Sequence, residues 1–166
     1  MAGGHIDQTM AGGRDRLTDV GARERLAAVP GVTLSGTGTP LVAQVEPDRW
    51  LEAARAAKET LGCAFFSFLT AVDWKDQGLE IVAWVDNLDT PLSIELRTKL
   101  GAGVTACASL TRVYRGANWM ERECFDMFGV RFEGHPDLRR ILLADDWEGH
   151  PLLKSYAVDT PHPPYR

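Results

Sequence analysis

The sequence predicts an α/β domain of the α+β type: a mixed, largely antiparallel sheet with helices packed on it and an extended C-terminal segment. Three observations lead there. The runs 41–45, 65–74, 79–85 and 92–100 are apolar or alternating, have strand length, and are bounded by turn formers. The last two are separated only by Asp86 to Pro91, too few residues for a crossover helix, so they form an antiparallel hairpin. From Val130 onward, Gly134, Pro136, Gly149, Pro151, Pro161, Pro163 and Pro164 leave little room for long regular elements.

The elements follow in order. Residues 1–16 contain four Gly, two Arg and two Asp with no apolar stretch, which marks a disordered leader and not a signal peptide. Residues 17–129 form a single α/β domain, in which Thr18 or Asp19 caps a short helix ending before Pro30-Gly31. Thr33 to Pro40 is turn-rich, and Leu41–Val45 is the first strand. Pro47-Asp48 opens a helix in which Trp50, Leu51, Ala54, Ala57 and Leu61 recur at helical spacing, with Gly62 past its end. Phe65–Trp74 is apolar or aromatic at nearly every position, the pattern of a central strand covered on both faces. Val104 to Tyr114 reads equally as an extended piece or a short helix. Asn118 with Glu121 has capping-box spacing at the start of a helix that runs to Phe128 and stops at Gly129. Residues 130–166 form an extended partner-binding segment.

Composition narrows the function. A chain of 166 residues can bury roughly two thirds of its unfolded surface. With 18 basic and 23 acidic residues the net charge is −5, which argues against general affinity for nucleic acid. The longest apolar run, Cys63 to Val72, contains Ser67 and Thr70 and is too short to span a bilayer. Cys63, Cys107 and Cys124 are far apart and read as free thiols.

Sharper chemistry is weakly supported. Gly101-Ala-Gly103-Val-Thr-Ala106 matches a dinucleotide fingerprint, but a helix must follow such glycines to face a pyrophosphate. The residues after Gly103 alternate with a period of two. His5, His135, His150 and His162 are scattered, without zinc-ligand spacing. His135 and His150 each sit in Gly-His-Pro, where a ring bonds backbone. Cys124 follows Glu123, whose charge opposes thiolate formation.

What remains is the stretch Asn118 to Tyr156, where charge and aromatic bulk are interleaved. Glu121, Arg122 and Glu123 fan over more than half of a helix circumference, so at least one faces protein and needs a partner, with Arg139 and Arg140 as candidates. The candidate partner-interface residues are Trp119, Glu121, Arg122, Glu123, Asp126, Phe128, Phe132, His135, Pro136, Arg139, Arg140 and Trp147. The expected contacts are ion pairs and hydrogen bonds that fix assembly, with no catalytic, cofactor or metal residue.

At these positions the chain resembles the NuoC family, the C-type subunits of the proton-pumping NADH:quinone oxidoreductase, respiratory complex I. The similar residues are Glu121-Arg122-Glu123, Asp126, Gly129, Phe132, Gly134 to Leu138, Arg140 to Leu142, Asp146 to Leu152, Lys154 and Tyr156. Leu153, Ser155 and Ala157 depart from the family's usual Arg, Asp and Pro. The resemblance implies a non-catalytic docking subunit of the hydrophilic peripheral arm, on the cytoplasmic side of the inner (plasma) membrane. It binds no cofactor itself, with flavin, iron–sulfur clusters and quinone in partner subunits. The quinone-proximal D-type subunit is the implied neighbour, with the B-type and I-type subunits alongside. Membrane-bound hydrogenases carry an equivalent subunit, which is the runner-up reading. A free-standing nucleotide-dependent oxidoreductase rests only on Gly101, Gly103 and Ala106.

Overall fold

The computed structural model describes residues 19–36, 38–157 and 159. The proposed leader, His5 and His162 lie outside them. Helix α1 (Asp19–Ala27) leads into β1 (Val32–Ser35) and β2 (Leu41–Val45). A 3-10 turn at Pro47–Arg49 opens α2 (Trp50–Arg55), which widens into a π-helical turn over Ala56–Thr60. Strands β3 (Phe65–Asp73), β4 (Leu79–Asp86) and β5 (Ser93–Lys99) follow, then β6 (Ala106–Ala108), α3 (Ala117–Phe128) and β7 (Arg131–Glu133).

The main sheet has the order β1-β2-β5-β4-β3. Only β2 and β5 run parallel, and the other neighbours are antiparallel, so the sheet is mixed and largely antiparallel as expected. The hairpin is β4–β5, with Asp86 opposite Ser93. Short β6 and β7 pair in parallel as a second sheet.

Period-two alternation sends Leu41, Ala43, Leu69, Ala71, Ile81, Ala83, Val85, Ile94 and Leu96 into one core. Trp50, Ala53, Ala54, Ala57 and Leu61 project into it from α2 and its extension, the apolar face read from sequence. Three alanines on that face let the helix approach the sheet closely around fully buried Trp50.

Three expectations are corrected. Phe65–Trp74 is not a central strand: β3 is an edge strand, and Phe65, Phe68 and Trp74 are exposed on its outer face. Its free edge is covered by α3, where the Leu69 N–H meets Met120 Sδ at 3.0 Å and Cys124 bonds the Ala71 backbone. Edge groups covered in this way do not template further pairing. The turn-rich 33–40 stretch includes most of β1, a four-residue strand too short to register against its flanking glycines. The start of α3 is not Asn118-capped: Gly116 is the cap residue, and the Ala117 and Asn118 N–H groups bond Tyr114 and Arg115 carbonyls instead. In keeping with the period of two after Gly103, a turn there leads into β6 and not into a helix, which removes the geometry a pyrophosphate requires.

Candidate functional site: a strap held on helix α3

Helix α3 is polar on faces that a solvated helix would keep wet. Glu121 and Asp126 are fully buried and Arg122 nearly so. Each is spent on a different tertiary task.

Glu121 faces the loop after β6. Its carboxylate accepts from Ser109 Oγ at 2.6 Å and from the Leu110 N–H at 2.6 Å. Burial pushes its pKa from an ordinary 4.5 up to about 7, against the pull of those two donors.

Asp126 organises the C-terminal segment. Its Oδ1 accepts from Arg140 Nη1 at 2.7 Å, and its Oδ2 accepts from the N–H groups of Ile141, Leu142 and Leu143 at 3.1, 2.8 and 2.9 Å. Burial opposes ionisation most strongly, but these four donors together outweigh it and hold the carboxyl below its usual range. Arg140 Nη2 continues to the carbonyls of Trp147 at 3.0 Å and Gly149 at 3.3 Å. Arg122, one turn earlier on α3, donates from Nε and Nη2 to the carbonyls of Arg139 and Arg140 at 3.1 and 3.0 Å. Thus Arg122 and Asp126, although i and i+4, do not pair with each other; they grip opposite ends of one peptide stretch.

The histidines fasten backbone, as expected of their Gly-His-Pro settings. His135 Nε2 donates to the Asn118 carbonyl at 3.1 Å while its Nδ1 accepts from the Asp137 N–H at 3.0 Å. His150 Nδ1 donates to the Asp126 carbonyl at 2.8 Å, and its ring meets Phe125 edge-on at 6.5 Å. Farther along, the Leu152 N–H bonds the Met127 carbonyl, and the Lys154 N–H bonds Asp73 Oδ2 at 2.7 Å. That last bond closes one side of a cleft of about 550 Å³ lined by Asp73, Lys75, Val104, Phe128 and Lys154. The other Asp73 oxygen accepts from the Lys75 N–H at 2.7 Å, so this carboxylate serves the chain's own backbone.

Gly129 makes the arrangement possible. It ends α3 with φ +74°, and a Cβ there would lie 2.8 Å from the His150 ring. Gly129→Ala combines left-handed strain with a collision. It is expected to lower stability by about 2 kcal/mol, read as the urea midpoint at unchanged slope.

The lack of period after Val130 predicts a segment that lies against another subunit instead of folding back. It does fold back, because its backbone groups find partners on α3 although it has no regular structure after Glu133 among the described residues. The predicted interface residues accordingly separate. Glu121, Arg122, Asp126, Phe128 and Phe132 are buried within the chain, and of these Arg122 and Asp126 hold the strap. His135, Arg140 and Trp147 are half-buried, while Trp119, Glu123, Pro136 and Arg139 are exposed. Trp119 is 66% exposed, with the Arg122 guanidinium 5.5 Å from its ring centre. Arg139 pairs with Asp137 at the surface.

Leu142 and Leu152 belong to the family-like stretch but not to the candidate interface set, and the strap holds them 62% and 51% exposed. Burial pushes the Cys63 and Cys107 thiols up to about 12 and raises Cys124 as well, so none is an activated nucleophile. Among the described residues, no three His, Cys, Asp or Glu side chains gather as a metal-ligand set.

Residues 43–162 match the family described as respiratory-chain NADH dehydrogenase, 30 Kd subunit. The NADH-quinone oxidoreductase C-type subunit of Trichlorobacter lovleyi is 46% identical over 102 residues, covering 59% of this chain and 63% of that protein. Its counterpart in Geobacter sulfurreducens is 39% identical over 126 residues, covering 74% and 78%. Two solved structures share the fold. One is Nqo5 as its trypsin-resistant fragment (1-134), with TM-score 0.56, 23% identity and coverage of 70% of this chain and 93% of that one. The other belongs to the membrane-bound sulfane sulfur reductase, an archaeal respiratory membrane complex, with TM-score 0.62, 24% identity and 75% coverage of both chains. A family match spanning most of the domain, together with relatives near 40% identity, establishes that this chain belongs to the respiratory-chain NADH dehydrogenase 30 Kd subunit family.

Proposed function

We propose that this chain is a structural docking subunit of the peripheral arm of a proton-pumping NADH:quinone oxidoreductase. The enzyme moves electrons from NADH to quinone, and this subunit supplies assembly and no chemistry of its own. One observation carries the reading: the buried Arg122 and Asp126 of α3 are consumed in holding an irregular strap, and the strap leaves Leu142 and Leu152 exposed. Charges arranged for catalysis would instead converge on an open cavity. Flavin, iron–sulfur clusters and quinone belong to partner subunits in this reading.

The quinone-proximal D-type subunit is the proposed neighbour of the strap, with the B-type and I-type subunits nearby on the cytoplasmic side. A relative from Phocaeicola vulgatus, 39% identical over 93 residues, bears a name that joins the C and D designations, and the match covers 18% of that protein. One name spanning both supports their adjacency here. No helix among the described residues is long and apolar enough to cross a membrane, so the proposed attachment is through partners.

The test is a double variant, Leu142→Asp with Leu152→Asp, in the complete complex. Truncating or charging a central anchor typically costs more than the 1.4 kcal/mol that corresponds to tenfold in affinity. Co-purification with the D-type subunit should fall at least about tenfold, while quinone reduction per assembled complex stays within about twofold. Normal assembly with collapsed quinone reduction would overturn the proposal.

A further inference from the structure

The helices cover one face of the main sheet, and the other face carries an unusual patch at the end of the β3–β4 ladder. The register sets Phe65 opposite Asp86 and Phe68 opposite Trp84, so all four share that open face. Phe65 is 49% exposed and Phe68 38%, and the Phe68 and Trp84 rings are 6.0 Å apart with a 32° tilt. A bulge between Phe66 and Phe68 re-aims Ser67 so that its hydroxyl donates to Asp86. Asp86 Oδ1 also accepts from Trp84 Nε1 at 3.0 Å and from Ser93 Oγ at 2.5 Å.

Every one of these donors is neutral. No Lys, Arg or His among the described residues forms an ion pair with Asp86. Burial works hardest against the charge, yet the two serines and the indole together keep the carboxyl below its ordinary range. The patch is therefore an anion framed by aromatic faces, which are themselves negative. Cross-strand packing explains Phe68 beside Trp84, and the serines tie three strand ends together. Neither requires two phenyl rings left in water beside an uncompensated charge. The species that suits carboxylate and rings together is a cation, and a guanidinium suits them better than an ammonium because it is planar and weakly hydrated.

Resting on the reading of this chain as a subunit, we propose that the patch formed by Phe65, Phe68, Trp84 and Asp86 seats an arginine side chain of a neighbouring subunit. This contact uses different residues from the strap and gives the domain a second point of attachment.

Two arms test it in the complete complex. In the first, p-benzoylphenylalanine replaces Phe68 and the complex is irradiated. Cross-linking to another subunit, within about four residues of an arginine, is expected from the reach of a side chain one helical turn away. In the second, Phe68→Lys supplies a cation from the chain itself and fills the site. Retention of this subunit in the purified complex should then fall about tenfold. The isolated full chain should melt within about 3 °C of the wild type, since the position is partly exposed.

Wild-type retention of Phe68→Lys would overturn the proposal. So would a photoproduct confined to this chain, to a second copy or to lipid, or one in a segment lacking arginine. The Leu142→Asp, Leu152→Asp variant run in parallel separates the two readings: its loss with Phe68→Lys retained sinks only the arginine site, whereas retention of the double variant sinks the docking reading itself.

Discussion

Replacing Asp126 by alanine is expected to destabilise this chain by about 3–5 kcal/mol, the usual cost of removing one partner from a buried charge pair. The change strands the half-buried Arg140 guanidinium and three consecutive backbone N–H groups that have one carboxylate oxygen as their common acceptor. It also frees the strap, because Arg140 ceases to be oriented toward the Trp147 and Gly149 carbonyls. Urea unfolding should show the loss. Limited proteolysis should show where it falls, as accelerated cleavage between Gly134 and Tyr156 with the sheet spared. Arg140→Ala should act in the same direction, with less assembled enzyme and nearly normal turnover per assembled complex. Acid supplies an independent check. The Asp126 carboxyl is held below its ordinary value of 3.8, so its contribution is present above that pH and disappears as pH falls through the lower, folded-state value. Cleavage of Asp126→Ala at the wild-type rate would mean that packing of Leu138, Leu143 and Leu153 against the core, and not the charge cluster, holds the strap.

How far the sequence discloses this arrangement depends on the range of each interaction. Strands β2, β4 and β5 are legible because alternation and turn chemistry are local. So is the end of α3, where Gly129 follows the last apolar residue. The need of a buried charge for a partner is equally legible, but the pairing is not: Arg139 and Arg140 are the candidates for the charges at 121–123, whereas Glu121 bonds Ser109 and the Leu110 N–H, and Arg140 pairs with Asp126. Misplacement comes where one pattern serves two structures. Phe65–Trp74 is apolar on both faces, which reads as a doubly covered strand, whereas the structure covers one face with the core and leaves aromatic groups on the other. Asn118 and Glu121 have capping-box spacing, but tertiary packing offers Glu121 better donors eleven and twelve residues upstream. The strap reads as partner-bound because it lacks period. Its order comes from side chains of α3 and of the strap itself bonding backbone up to 24 residues away, which no periodicity records.

Glu121 should give the pH dependence of stability a sign opposite to that of Asp126. Its pKa rises on folding from an ordinary 4.5 to about 7, so between those values the native chain binds a proton that the unfolded chain has released. Stability is therefore fully supported below about pH 4.5, declines as pH rises, and levels off above about 7. The decline is on the order of 3 kcal/mol, from 1.36 kcal/mol per pH unit over the interval. Glu121→Gln isolates it. A glutamine oxygen can accept from the Leu110 N–H and its amide can donate to Ser109 Oγ, whose hydroxyl is free to turn toward Thr111 Oγ1 at 2.7 Å. The variant makes both contacts without carrying charge. It should match the wild type at pH 4 and exceed it by that margin at pH 8, both measured by urea unfolding. A difference independent of pH would show that the two donors keep Glu121 ionised throughout, and that the junction between α3 and the β6 loop is built around a permanent anion.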